Sequence, residues 1–502
     1  MTRLPAHKTR IVCTIGPASQ SERTLELMIR YGMNVARLNL AHGEPDSHRA
    51  IIAAVRAASQ RLGRRVALLA DQPGPKLRVG GLEGDEVDLE RGQLVQLVAG
   101  EARDDSDHAG RASEASRSER RARQPAELVR IPLGLPQLRV SLRPGDDVFL
   151  DDGLLQLRVA EDSGLARVLV PGRLRSRDGV ALPGADLGVS AFTGRDRELL
   201  AFALREGVDA IGVSFVQGPE DITAVREASA EMGRDPFIIA KIERSQALER
   251  IDTILETADG LMVARGDLGV NIPIERIAVA QKLIIDRANV AGRPVITATQ
   301  MLESMTAQRR PTRAEVTDVA NAILDGTDCV MLSEETAMGR YPTEAVATMS
   351  RVARITEREL RTTRRPASDS TSVRGVLAEE AAVTAERLKA RYIIVPTDGG
   401  ITARAVARLR PDSWIVAFSP SHETCQRLQF SRGIHPVHVP EAAGVAQAGT
   451  PDLSRGVPVT CGEVDWHGIA GRWFSDRRLP AGLAVMIQGG NRLEVIELPG
   501  ET

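Results

Sequence analysis

Short β-branched apolar runs alternate along the chain with longer amphipathic stretches, and the two kinds of segment pair off. Residues 10–15, 34–40, 66–71, 209–215, 237–242, 260–265, 294–299 and 328–333 read as strands. Residues 20–31, 46–62, 194–206, 219–232, 244–257, 274–291, 313–325 and 342–358 carry the helical period. Parallel strands need crossovers, and each interval is long enough to hold a helix. The pattern therefore predicts a closed (β/α)8 TIM barrel, with a doubly wound open sheet as the alternative.

The third unit is interrupted after Gly74 and Pro75, and the alternation resumes only at 194. Alternating runs at 93–98, 128–131, 147–150 and 155–159, separated by Gly, Pro and Asp, predict a small all-β lid domain inserted where active-site loops emerge. A C-terminal α/β domain follows, with helices at 376–390, 401–409 and 421–431 and strands at 392–396, 414–418 and 436–439. The expected division is 1–75 and 176–358 for the barrel, 76–175 for the lid and 367–502 for the last domain. Residues 100–124 hold no Val, Ile, Leu, Met or aromatic side chain and are expected to be disordered. Residues 440–455 read as a surface loop.

Composition narrows the function. Lys and Arg total 65 against 67 Asp and Glu, a net charge of −2, which favours small-molecule work over a nucleic acid or a membrane surface. Aromatics make up only 3%, so base or sugar stacking does not dominate recognition. The four cysteines, at 13, 329, 425 and 461, have no CxxC spacing and read as reduced structural thiols. No run reaches the roughly 18 apolar residues of a spanning helix, and the expected location is cytoplasmic.

In a barrel, chemistry sits at the carboxyl ends of the strands. Here those ends carry Arg37 and Asn39, Asp71, Ser214, Lys241 and Glu243, Arg265 and Asp267, Thr299, and Ser333 and Glu335. One such carboxylate is usually a helix cap or an ion-pair partner. Two on consecutive strands, Glu243 and Asp267, beside cationic neighbours, suit Mg2+ or Mn2+ and a phosphorylated substrate. Gly266 and Gly269 allow backbone N–H groups to face an anion at a helix start, or are purely conformational.

The residues Ile11-Val12-Cys13-Thr14-Ile15-Gly16-Pro17-Ala18-Ser19, Asn34-Val35-Ala36-Arg37-Leu38-Asn39, Ala240-Lys241-Ile242-Glu243 and Val263-Ala264-Arg265-Gly266-Asp267-Leu268-Gly269-Val270 resemble those of pyruvate kinases. The similarity continues through Ala298-Thr299-Gln300-Met301-Leu302-Glu303-Ser304-Met305 and Arg310-Pro311-Thr312-Arg313-Ala314-Glu315. The resemblance implies transfer of the phosphoryl group of phosphoenolpyruvate to ADP, giving pyruvate and ATP, by a homotetramer. It implies Glu243 and Asp267 as divalent-ion ligands, Lys241 on the transferring phosphoryl group and Arg37 on phosphate. Thr299 then lies near the protonated carbon, Gly266 and Asp267 cradle the substrate carboxylate, and Ser333 serves a proton relay. Asn39, His42 and Arg78 match nucleotide-side positions. Lys241→Met is expected to cost turnover with little change in fold.

The monovalent-ion site departs from the family. Asn39 and Asp71 remain, Ala41 replaces a serine, and Lys76 stands where potassium-dependent members carry Glu, so K+ is not expected to be required. Asp178 replaces a lysine near the nucleotide phosphates, and Glu334 a glycine beside Ser333. Thr397, Gly399, Gly400 and Thr402 resemble a sugar-phosphate effector loop, although a Gly and Thr turn before a helix is also an ordinary cap. Two alternatives stay open: a metal-dependent aldolase or lyase acting on a pyruvate-like acid, and a catalytically weak phosphoenolpyruvate-binding homologue, motivated by Asp178 and Glu334.

Overall fold

The computed structural model describes residues 4–100, 128–134, 142–151, 153–183, 190–359, 372–440, 464–489 and 491–498; the segments 101–127 and 441–463, which contain most of the expected disordered loop and surface loop, lie outside them. Eight parallel strands form a closed barrel: Arg10–Thr14, Met33–Asn39, Ala67–Asp71, Ala210–Val213, Phe237–Ile242, Gly260–Ala264, Val295–Ala298 and Cys329–Leu332. They pair in chain order, and the first closes on the eighth through Arg10 opposite Cys329. The continuous apolar runs follow from burial on both faces. In Phe237–Ile242 every residue is buried.

Side chains of alternating strands fill the barrel, among them Val12, Leu69, Ile239, Met262 and Ile296. A second layer packs the outer strand faces against the helices. Phe430, from the C-terminal unit, joins the interior cluster and stacks on Phe237 with ring centroids 5.5 Å apart. Burying one such ring contributes about 2 to 3 kcal/mol and ties the two units together.

Local signals set the helix ends. Thr312 and Glu315 form a reciprocal capping box at the start of Arg313–Asp325, and Gly326 ends that helix in the left-handed conformation at φ 100°. Three expectations change. The helix at 244–257 is two helices, Ser245–Glu249 and Ile251–Thr257, divided at Arg250. The helix at 274–291 opens with a 3-10 turn, Ile274–Arg276, directly after Pro273. Arg265 is no strand residue: the sixth strand stops at Ala264, and Arg265 begins the helix Arg265–Asn271.

The inserted unit is all-β. Its six-stranded sheet runs Val180–Ala181, Asp147–Leu150, Leu155–Val159, Leu165–Val170, Leu94–Ala99, Val129–Leu133, beside the pair Glu86–Leu89 and Gly172–Arg175. Val180 and Leu182 lie in its core, so its packing continues past residue 175. The C-terminal sheet has the order Ile434–His438, Trp414–Ser419, Tyr392–Pro396, Gly482–Gln488, Arg492–Leu498, with only the last strand antiparallel. The sequence reading missed that final hairpin and the helix Trp466–Asp476. Among the described residues no helix is long and apolar enough to cross a membrane.

Candidate active site

Strand register assembles the polar centre. Thr14 lies opposite Arg37, Asn39 opposite Asp71, and Asp71 opposite Gly212. Side chains from the first five strands thus meet at one end of the barrel. Asp71 is the hub. Its Oδ2 accepts from Arg37 Nε at 2.7 Å and sits 2.6 Å from the same guanidinium's second nitrogen, while Oδ1 lies 3.2 Å from Lys241 Nζ. Arg37 also donates to Thr14 Oγ1 at 2.9 Å. Lys241 donates to Ser214 Oγ at 2.6 Å and meets Glu243 Oε1 at 2.9 Å. The Ser214 hydroxyl donates its own hydrogen bond to the Gln72 main-chain carbonyl at 2.7 Å, which leaves its lone pairs toward the ammonium.

The electrostatics follow from burial and neighbours. Burial works against the Lys241 ammonium, but Asp71 and Glu243 outweigh it and hold its pKa above the ordinary lysine value. Burial also opposes the Asp71 carboxylate, and Lys241 and Arg37 prevail and lower its pKa. Glu243 goes the other way: burial and the Asp267 charge raise its pKa against the pull of Lys241. Glu243 is 0 % exposed. Its Oε2 accepts from the Phe215 N–H at 2.6 Å, whereas Oε1 has its charge contact with Lys241 but no aligned hydrogen bond.

That buried, incompletely satisfied oxygen is what a hard cation would complete. Among the described residues there is no cluster of three or more His, Cys, Asp or Glu able to hold a metal. An ion here would rest on Glu243 and Asp267 and leave its other positions to water or substrate, the pattern in which Mg2+ usually meets phosphates. The residues fit the group.

Thr299 closes the other side. It holds φ 65°, and Gln300 φ 53°, a left-handed conformation that is uncommon outside glycine and strained for a β-branched residue. This turn brings Thr299 Oγ1 within 2.8 Å of the Gly266 N–H, which donates to it, while the hydroxyl donates to the Ala298 carbonyl at 2.7 Å. The Gly266 donor of the expected carboxylate cradle is thus engaged by Thr299. Arg265 is engaged elsewhere: it makes two bonds to Asp318, at 2.9 and 2.7 Å, and donates to the Ala298 and Thr299 carbonyls. It braces the strained turn and is not a cation facing the carboxylate pair. Lys76 Nζ lies 3.9 Å from Asp267 Oδ1, and Asn39 Oδ1 accepts from the Ala41 N–H at 3.3 Å.

Ser333 Oγ is buried with no hydrogen-bond partner, and the Ser333 N–H donates to Glu335 Oε2 at 2.6 Å. Glu335 also receives the Leu302 N–H at 3.0 Å. Nearby, burial first, then Glu335, Glu334 and Glu315, push Glu303 up to about 7. The folded state therefore binds a proton there more tightly than the unfolded chain, and this contribution to stability is lost as pH rises from 4.5 through about 7. Glu334→Gly should narrow that decline and Glu303→Gln should remove it, as thermal melts across this range will test; unchanged slopes in both variants would reject the coupling.

The remaining candidates are more scattered. His42 is exposed, and Arg78 donates to the Arg177 carbonyl at 3.0 Å. Asp178 turns its carboxylate to the Arg175 N–H at 2.7 Å and closes a turn in which Arg177 holds φ 73°. In the C-terminal unit, Thr397 Oγ1 accepts from the Gly400 N–H at 3.0 Å, which closes a turn ahead of the helix Ile401–Ala407, whose N-cap Gly400 has no side-chain capping bond. A side chain at Gly400 would collide with Leu428 at 2.9 Å. Thr14, Gln72 and Phe215 were missed; only the Phe215 backbone, at φ 56°, explains how its N–H reaches Glu243.

Comparison with known proteins matches this architecture throughout. Residues 6–346 fit the family model of the pyruvate kinase barrel domain, and 376–457 that of the pyruvate kinase alpha/beta domain. The chain is 44% identical over 446 residues to a pyruvate kinase of Thermococcus litoralis, covering 86% of this chain and 89% of that one. It is 40% identical over 443 residues to one of Geobacillus stearothermophilus, covering 86% and 72%. The crystal structure of a pyruvate kinase from Cryptosporidium parvum superposes with a TM-score of 0.83 at 33% identity, covering 98% of this chain and 97% of that one. Barrel, inserted β unit, C-terminal α/β unit and a lysine-bridged acidic centre at the strand ends together assign the chain to the pyruvate kinase family.

Proposed function

We propose that this chain transfers the phosphoryl group of phosphoenolpyruvate to ADP at the carboxyl end of its barrel, with Lys241, Glu243 and Asp267 as the central residues. The observation that carries the reading is the Lys241 ammonium, buried and fixed between Asp71 and Glu243. Negative charge grows on the phosphoryl oxygens in flight and on the enolate oxygen left behind, and a preset cation stabilises it without reorganising. Mg2+ or Mn2+ held by Glu243 and Asp267 would neutralise substrate phosphate charge. Arg37, oriented by Asp71 and Thr14, grips phosphate; Thr299 stands by the carbon to be protonated, and Ser333 with its unpartnered hydroxyl serves the proton path. Gly266 and Asp267 take the substrate carboxylate once Thr299 yields the Gly266 N–H. Asn39, His42 and Arg78 serve ADP.

Asp178, with its carboxylate turned into its own loop, is compatible with ADP binding. That answers part of the case for a binder without turnover, and aldol chemistry draws no support from the matched family. A coupled assay of pyruvate release from phosphoenolpyruvate with Mg2+ tests the reading. Release that depends on ADP is expected, and its absence would reject it.

Lys76 supplies the charge that potassium supplies in other members. Its reach toward Asp267 supports this, and Asp71 is already engaged by Arg37 and Lys241. Full activity is expected in potassium-free buffer, and Lys76→Glu should create a requirement for KCl. Strong activation of the unmodified protein by added KCl would refute the assignment. Assembly as a homotetramer in the cytoplasm completes the proposal; Val279, Leu283 and Val290, exposed along one helix, offer an apolar face for it.

A further inference from the structure

Two successive residues just past the fourth strand serve the two opposite charges of the acidic centre. The Ser214 hydroxyl accepts from Lys241 Nζ at 2.6 Å, and the Phe215 N–H donates to Glu243 Oε2 at 2.6 Å. Phe215 makes its bond from the left-handed region, at φ 56°, where a bulky side chain is an outlier. Such a conformation persists only where the surroundings over-determine it. Here contacts on the ring do so. The Arg244 guanidinium lies over it, 5.5 Å from the centroid, and Arg244 directly follows Glu243 in the chain. Glu243 and Arg244 therefore clasp one residue, the first by its main chain and the second by its ring.

The ring also meets Gly74, where the chain leaves the third strand toward the inserted β unit. A Cβ built at Gly74 would stand 3.1 Å from Phe215 Cδ2 and 3.1 Å from Ser214 Cβ. Gly74 itself holds φ 62°, so its conformation and its neighbours both call for glycine. Its N–H donates to Asp196 Oδ1 at 3.0 Å, and Asp196 belongs to the capping box that opens Gly194–Arg205, the first barrel helix after the insertion. The exit from the barrel and the return to it are thus joined at the residue that touches Phe215. Phe215 and Arg244 also line, with Lys76 and Asp267, a cleft whose lining includes Phe149 and Leu182 of the inserted unit.

We infer that Phe215 is a positioning residue for the metal-holding Glu243: its main chain fixes the carboxylate, and its ring, held by Arg244 and Gly74, ties that carboxylate to the root of the inserted unit. This rests on the reading of Glu243 as an ion ligand. The test is Mn2+ binding to the full chain without substrate or nucleotide, followed by electron paramagnetic resonance, beside melts in metal-free buffer that report the fold. Phe215→Ala keeps the N–H and loses the ring; it should weaken Mn2+ binding about tenfold, the lower end of the loss when a group that orients a metal ligand is removed. Arg244→Met should weaken it about threefold through loss of one cation–π contact, and it keeps the test open if Phe215→Ala does not fold. Phe215→Tyr retains the ring and should bind Mn2+ as the parent does. Gly74→Ala alters no charged group and should weaken binding as well; parent affinity there overturns the tie to the inserted unit. Parent affinity in Phe215→Ala and Arg244→Met, with Glu243→Gln weakened, overturns the inference and leaves the ligand assignment standing, as does equal weakening in Phe215→Tyr and Phe215→Ala. Parent affinity in Glu243→Gln removes the assignment itself and the inference with it.

Discussion

Lys241→Met is expected to lower kcat about 10²- to 10³-fold, the loss of roughly 3 to 4 kcal/mol of transition-state stabilisation that one preset donor provides. The variant should also melt earlier. The sequence alone suggested little change in fold, but Lys241 lies 3.2 Å from Asp71 and 2.9 Å from Glu243, both buried. Asp71 keeps Arg37 after the substitution. Glu243 loses its cation, and breaking a buried pair from one side costs about 3 to 5 kcal/mol. Added Mg2+ should restore part of the melting temperature and little of the turnover. Pyruvate release and thermal melts with and without Mg2+ separate the two effects, and near-normal turnover of the purified variant would remove Lys241 from its role.

Glu243→Gln should be as damaging to activity and the opposite in stability. Loss of one of two metal-holding carboxylates is expected to cost at least about 100-fold in activity at fixed Mg2+, since even partners one step further from a metal commonly cost 10- to 100-fold. Mn2+ binding followed by electron paramagnetic resonance should weaken in parallel. The metal-free variant should be no less stable than the parent, because the amide carries no buried charge and Lys241 keeps Asp71. Mn2+ affinity equal to that of the parent would rule Glu243 out as a ligand.

The barrel was legible because strands buried on both faces leave unbroken apolar runs, and the intervals between them are helix-length. Lys241 and Glu243 were legible as strand-end residues; Asp267 was read as one too, although it is the third residue of the helix Arg265–Asn271. The part played by Asp71 was legible only in part: the sequence suggests a monovalent-ion site for it, and strand register also makes it the anchor of both Arg37 and Lys241. Arg265 was misread because the sixth strand stops one residue early, which turns its side chain to Asp318. The left-handed turn at Thr299 leaves no mark in a sequence where the residue is β-branched. The cavity of about 830 Å3 between the start of the barrel strands and the C-terminal unit was invisible for a different reason. Its lining runs from Leu4 to Arg477 and meets only because the C-terminal unit docks on the barrel floor, where Phe430 enters the core. The final hairpin was available in the alternation of Arg492–Leu498, and it was missed.

A crystal structure with Mn2+ and phosphoenolpyruvate bound tests the central claim most directly. The account predicts the ion on the carboxylates of Glu243 and Asp267, with the Lys241 ammonium in contact with a phosphoryl oxygen. An ion held by other residues, or a phosphoryl group out of reach of Lys241, would contradict it.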